Sequence, residues 1–151
     1  MAKTVLLARP HPFIVAGMRP FLEQGGYAAA KVENLADLAA QARSSVGVVI
    51  SLAVSSSLGE TAGEVFARVR DEVARVPVVF AAILAFDQSK AGLERLAAHA
   101  DVDATILGVS LANENAAALG RPNTFVYISK EDLVDPTRRA IALRMVQRHF
   151  R

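Results

Sequence analysis

Arg9, the serine run Ser55, Ser56 and Ser57, and Lys130 are the groups in this chain best suited to hold an anion. Hydroxyl and backbone donors beside two cations suit phosphate, provided the fold brings these distant segments together. Ser51 lies within the apolar run Val46–Val54; with no base or metal beside it, its hydroxyl is a weak nucleophile, and on a buried strand it reads as a hydrogen-bonded core serine. His11, His99 and His149 lie far apart, with no second histidine or carboxylate at metal-ligand spacing, so no zinc site is expected. Cysteine is absent, which removes thiolate nucleophiles, thiolate metal sites and disulfides together. No serine sits in a nucleophile-elbow sequence and no glycine-rich phosphate loop is present. The sequence points to binding rather than turnover and calls for no cofactor.

The elements that must position these groups alternate strand with helix. Lys3–Ala8 reads as a strand covered on both faces, because it is aliphatic without polar alternation. A helix over Phe13–Glu23 follows, containing Pro20 as a kink and closed by Gly25 and Gly26. Tyr27–Val32 is a weak strand, and Asn34 caps an alanine-rich helix Leu35–Arg43. Val46–Val54 is the strongest buried-strand signal, followed by a loop Ser55–Gly59 and a helix Glu60–Arg75 with Val65, Phe66, Val69 and Val73 on one face. Val76–Leu84 is another buried strand, leading to a helix capped near Asp87 and ending near His99. Asp103–Val109 reads as a further strand, with Ser110 capping a short helix Leu111–Leu119 that Gly120 ends. Thr124–Ser129 is the last strand; Asp135 and Pro136 open a final helix to Phe150. The pattern predicts one α/β domain, a doubly wound three-layer sandwich with a central parallel sheet of five or six strands.

In open parallel sheets, ligands gather outside the carboxyl ends of the strands. There the run Leu6-Leu7-Ala8-Arg9-Pro10-His11-Pro12, followed by Gly17, resembles the first strand and following motif of response-regulator receiver domains. The likeness continues through Val48-Val49-Ile50-Ser51 and Val76-Pro77-Val78-Val79-Phe80-Ala81-Ala82, and ends at Tyr127-Ile128-Ser129-Lys130. The resemblance implies a flavodoxin-like fold. It also places the family's metal-binding acidic pair on Arg9 and Pro10, its phospho-accepting aspartate on Ser51 and its phosphoryl-facing hydroxyl residue on Ala82. The aromatic switch residue and the lysine fall on Tyr127 and Lys130, which keep the family's residue types. A magnesium ion beside a phosphoryl group needs carboxylate oxygens, and an arginine there supplies positive charge in place of the cation. The resemblance therefore implies a degenerate pseudo-receiver with Tyr127 fixed in one rotamer. Lys130 then has Glu60, a bound anion or water as its partner.

The role this implies is a phosphorylation-independent interaction module in bacterial two-component-type signalling, taking a protein partner or output domain, with homodimerisation left open. A small-anion or nucleotide sensor at Arg9, Ser55, Ser56, Ser57 and Lys130 is the alternative. Seventeen basic against 15 acidic residues leave a formal charge of +2, which gives nucleic-acid binding little support. The apolar stretch Val76–Phe86 falls short of the roughly 20 residues a membrane span needs, and Met1-Ala2-Lys3-Thr4 resembles no signal peptide, so a cytoplasmic location is expected. The stretch 83–126 exceeds the roughly 20 residues that one crossover helix and its loops require. The surplus, around residues 103–120, either extends the sheet or forms an interface, with Asn113, Glu114 and Asn115 as solvated surface. The last helix carries Arg138, Arg139, Arg144, Arg148 and Arg151, of which Arg144, Arg148 and Arg151 share one face; that face is either solvated, a dock for an acidic partner, or part of a helix leading to an output module.

Overall fold

Six aliphatic runs pair into one all-parallel sheet in the order β2-β1-β3-β4-β6-β5. The strands are β1 (Lys3–Arg9), β2 (Tyr27–Lys31), β3 (Gly47–Ser51), β4 (Val78–Ala82), β5 (Thr105–Leu107) and β6 (Thr124–Ser129). The helices are α1 (Pro12–Gln24), α2 (Leu38–Arg43), α3 (Ala62–Glu72), α4 (Phe86–His99), α5 (Lys130–Val134) and α6 (Pro136–His149). The structure, a computed structural model, describes residues 3–9, 12–32, 34–52, 61–73, 75–109, 116–121 and 123–150.

Both faces of the sheet are covered, which is why its strands are apolar at consecutive positions. Val5, Leu7, Val49, Val79, Val126 and Ile128 pack with Met18, Phe21 and Leu22 of α1 and with Ala142, Met145 and Val146 of α6. Their neighbours Leu6, Ala8, Val48, Ile50, Phe80 and Phe125 face Leu38, Val65, Phe66, Val69 and Leu93 of α2, α3 and α4. Phe66, Phe80 and Phe125 form a mutual ring cluster, with centroids 5.2 to 5.7 Å apart. The result is the expected three-layer, doubly wound, flavodoxin-like sandwich, with six strands.

Several boundaries differ from the sequence reading. The strand expected over Val46–Val54 is Gly47–Ser51, and the one over Val76–Leu84 is Val78–Ala82, because Ile83 and Leu84 turn out into an exposed loop. Asn34 does cap, accepting from the Ala36 N–H at 3.0 Å, but what it opens is a 3-10 turn, Leu35–Asp37, that leads into α2. α3 begins after Thr61 rather than at Glu60, because Thr61 and Glu64 form a reciprocal capping box. Asp87 lies in the first turn of α4, whose cap position is Ala85.

The expected strand Asp103–Val109 shrinks to the three residues of β5, which lies outside β6 and extends the sheet. Of the helix expected over Leu111–Leu119, the described part is a 3-10 turn, Ala116–Ala118; Ser110 and residues 111–115 lie outside the described residues. An unexpected helix, α5, separates β6 from α6, started by a Ser129–Asp132 capping box. Asp135 caps α6 as expected, accepting from the Thr137 and Arg138 N–H groups, and Pro136 occupies the first turn.

Candidate functional site

The connections from the sheet diverge on either side of β1 and β3, so the carboxyl ends of these two strands form the crevice where such folds place their chemistry. β1 runs one residue past its expected end and carries Arg9 into that crevice. Arg9 is 3% exposed, and its Nη1 donates to the Ser51 carbonyl at 2.9 Å. Burial draws the guanidinium below the usual arginine value, although a guanidinium stays charged in a protein. Ser51 is itself buried at the tip of β3. The structure thus brings together Arg9 and Ser51, which the sequence assigned to one site.

Ala82 ends β4 and pairs in register with Ser129 of β6, and Lys130 follows as the exposed first residue of α5. Ala82 offers no hydroxyl. Pro10, His11, Ser55, Ser56, Ser57 and Glu60 lie outside the described residues, so the anion-site grouping and the proposed Lys130–Glu60 contact fall there too. Tyr127 is fully buried, donating its hydroxyl to the Leu84 carbonyl and accepting from the Ser89 hydroxyl at 2.9 Å. Burial raises its pKa, and Asp132 adds to that, while the Ser89 bond opposes it. Tyr127 therefore ties the tip of β6 to the β4–α4 loop, which presents Ile83 and Leu84 at 56% and 54% exposure.

One buried carboxylate at this end was not anticipated. Asp132 accepts from its cap residue's backbone N–H, that of Ser129, at 2.8 Å and from Arg138 Nε at 2.7 Å. The signal was present as Ser129-x-x-Asp132, the spacing of a capping box. The arginines of the last helix accordingly divide into two sets. Arg138 pairs with Asp132, and Arg139 bonds Gln24 at 3.0 Å and the Leu133 carbonyl at 2.9 Å while lying over the Phe21 ring. Arg144 and Arg148 are exposed; Arg151 lies outside the described residues.

Among the described residues no three histidine, cysteine, aspartate or glutamate side chains come together as a metal site. At the tips of β1 and β3, where a divalent cation would need carboxylate oxygens, a guanidinium meets a backbone carbonyl. These described residues do not fit a magnesium ion. No helix among the described residues is long and apolar enough to cross a membrane.

Neither a protein-family model nor a curated protein matches the sequence. Among solved structures, the chain is similar to the receiver domain of the sensor histidine kinase PA1611 from Pseudomonas aeruginosa PAO1, with a TM-score of 0.60 and 14% identity over 99% of this chain and 98% of that one. That relative was solved with a magnesium ion coordinated in its active site cleft. NtrX from Brucella abortus is similar at a TM-score of 0.52 and 15% identity, over 98% of this chain and 28% of that one. The chain has the fold of a receiver domain, with a sixth strand at its edge.

Proposed function

We propose that this chain is a pseudo-receiver: a phosphorylation-independent protein-interaction module of two-component-type signalling, without turnover of its own. The observation that carries this reading is the buried Arg9 guanidinium bonded to the Ser51 carbonyl. In a receiver, the residue at Arg9 would help hold the cation and the residue at Ser51 would accept the phosphoryl group. Here the first is a cation itself, and the second carries a hydroxyl in place of a carboxylate, with no metal site among the described residues. A docking role is supported by the position of Ile83, Leu84 and Val134, the exposed large apolar side chains among the described residues. Ile83 and Leu84 follow the carboxyl end of β4 and Val134 closes α5 after β6, so all three belong to one end of the sheet. The reading places the protein in the cytoplasm, with a protein partner or a separate output domain.

Incubating the chain with a small phosphodonor and magnesium and then measuring its intact mass tests the proposal. The expected spectrum shows unmodified protein; a stoichiometric phosphoryl adduct at Ser51 overturns the reading.

A further inference from the structure

The strand that departs from the five-stranded receiver pattern creates a second cleft at the opposite end of the sheet. It lies where β5 and β6 begin, has a volume of about 360 Å³, and is lined by Thr105, Ala118, Arg121, Asn123 and Thr124. Its polar side chains comprise one guanidinium, one amide and two hydroxyls, with no carboxylate among them. We propose that this cleft binds a small phosphate monoester.

The donors are held in place by the local backbone. The Arg121 N–H donates to the Ala118 carbonyl and the Thr124 N–H to the Arg121 carbonyl, both at 3.2 Å, so Arg121 is held through both of its backbone polar groups. The Thr105 N–H donates to the Asn123 carbonyl at 2.9 Å and fixes the start of β5 against the same turn. Asn123 is oriented by a neighbouring side chain: Arg70 Nη2 donates to its Oδ1 at 2.7 Å. A guanidinium can only donate, so Asn123 must give it the oxygen and keeps its NH₂ as the donor available to the cleft. Arg70 also brings a second positive charge within one residue of the site.

The donor count selects the ligand class. A guanidinium binds two oxygens at once, and an amide and two hydroxyls add three further contacts, more than a carboxylate can use and suited to a phosphoryl group with three terminal oxygens. A bare phosphate does not fill this volume, which lies at the small end of ligand pockets and leaves room along Ala118 for a compact organic substituent. The crevice at Arg9 is at the other end of the strands, so this site is independent of the pseudo-receiver reading.

The test is an amide NMR titration of the whole chain with inorganic phosphate and with glycerol phosphate, at ionic strength matched with chloride. Saturable shifts at Thr105, Asn123 and Thr124 are expected, with the ester binding at least as tightly as the inorganic ion. Arg121→Gln should weaken both by about tenfold or more, since it removes the charge-assisted pair, while Arg144→Gln on the exposed face of α6 should leave them unchanged. Melting temperatures without phosphate establish that both variants are folded. Shifts that do not saturate, an unaffected Arg121→Gln, equal loss in Arg144→Gln, or shifts centred on Arg9 and Lys130 would each overturn the proposal.

Discussion

At the carboxyl ends of the strands the buried polar groups include two charges: Arg9 on the Ser51 carbonyl, and Asp132 between the Ser129 N–H and Arg138. The amino ends are closed by neutral groups. His149 is fully buried and joins two elements, accepting from the Gly120 N–H at 2.9 Å through Nδ1 and donating through Nε2 to the Val78 carbonyl at 3.0 Å. Burial pushes its pKa down to about 4, so it is neutral at pH 7, and the two contacts together fix its tautomer. Next to it, the Phe150 carbonyl accepts from the Tyr27 hydroxyl at 2.8 Å, and the Phe150 ring stands edge-on to Tyr27. The last turn of α6 thus fastens the starts of β2 and β4, while the opposite end keeps charges whose partners come from loops and helix caps. The difference separates a stapled end, which depends on steric fit and neutrality, from a mouth that can be altered with less harm to the fold.

The steric part of the staple predicts the largest effect. A Cβ at Gly47 would lie 2.1 Å from Phe150 Cδ1, so only glycine allows β3 to pass beneath that ring. Gly47→Ala should cost about 3 kcal/mol by overpacking. Phe150→Ala should cost about 4 kcal/mol by leaving a cavity. In the Phe150→Ala background the glycine substitution should be close to neutral, because the obstacle is gone, and a double-mutant cycle by urea denaturation reads this coupling. Additive costs would mean that Gly47 and Phe150 act separately and that the staple is misdescribed.

Neutrality at the same end gives the next effect. The folded-state value of His149, about 4, lies below its ordinary 6.5, so the unfolded chain takes up the proton first as the pH falls. The stabilisation is complete above about pH 6.5, declines from there, and is gone by about pH 4, a loss of about 3 kcal/mol. Protonation also turns Nδ1 into a donor facing the Gly120 N–H donor. His149→Gln should flatten that part of the stability-against-pH curve measured by denaturant titration; an unchanged slope would assign the acid sensitivity elsewhere.

The two ends also differ in how far sequence alone reveals them. The layering follows from runs such as Val48-Val49-Ile50 and Val78-Val79-Phe80, since strands covered on both faces are apolar at consecutive positions, whereas the strand order does not. The meeting of Arg9 with Ser51 was legible only through the resemblance to receiver domains, and the pairing of β1 with β3 is what places their tips together. His149 was not legible: a lone histidine at the end of an arginine-rich helix has the pattern of a surface residue, and only the fold brings the Gly120 turn and Val78 to it. α5 is too short for periodicity to show, leaving its capping box as the one local sign. Its Asp132 reaches Arg138 across the Asp135–Pro136 break, a pairing that no single-helix spacing encodes.

At the mouth, Asp132→Ala removes a buried acceptor from the Ser129 N–H and the partner of Arg138, for an expected cost of about 2 kcal/mol in denaturant titration. This lies below the steric cost at Phe150; a larger loss would make the mouth, rather than the staple, the more sensitive end.

Tyr127→Phe should have the smallest effect, and the most local one. The ring stays in its apolar setting beside Phe86, but the Leu84 carbonyl loses its donor and the Ser89 hydroxyl its acceptor, at about 1 kcal/mol because both groups are only partly buried and water can replace the phenol. If the phenol fixes the loop that presents Ile83 and Leu84, hydrogen exchange should quicken in residues 83–89 while the starts of β2, β3 and β4 keep their protection. Faster exchange at those strand starts as well would show that the two ends unfold together. Unchanged exchange throughout would mean that the β4–α4 loop holds its shape without Tyr127, and that the contact between β6 and this apolar surface is packing rather than a tether.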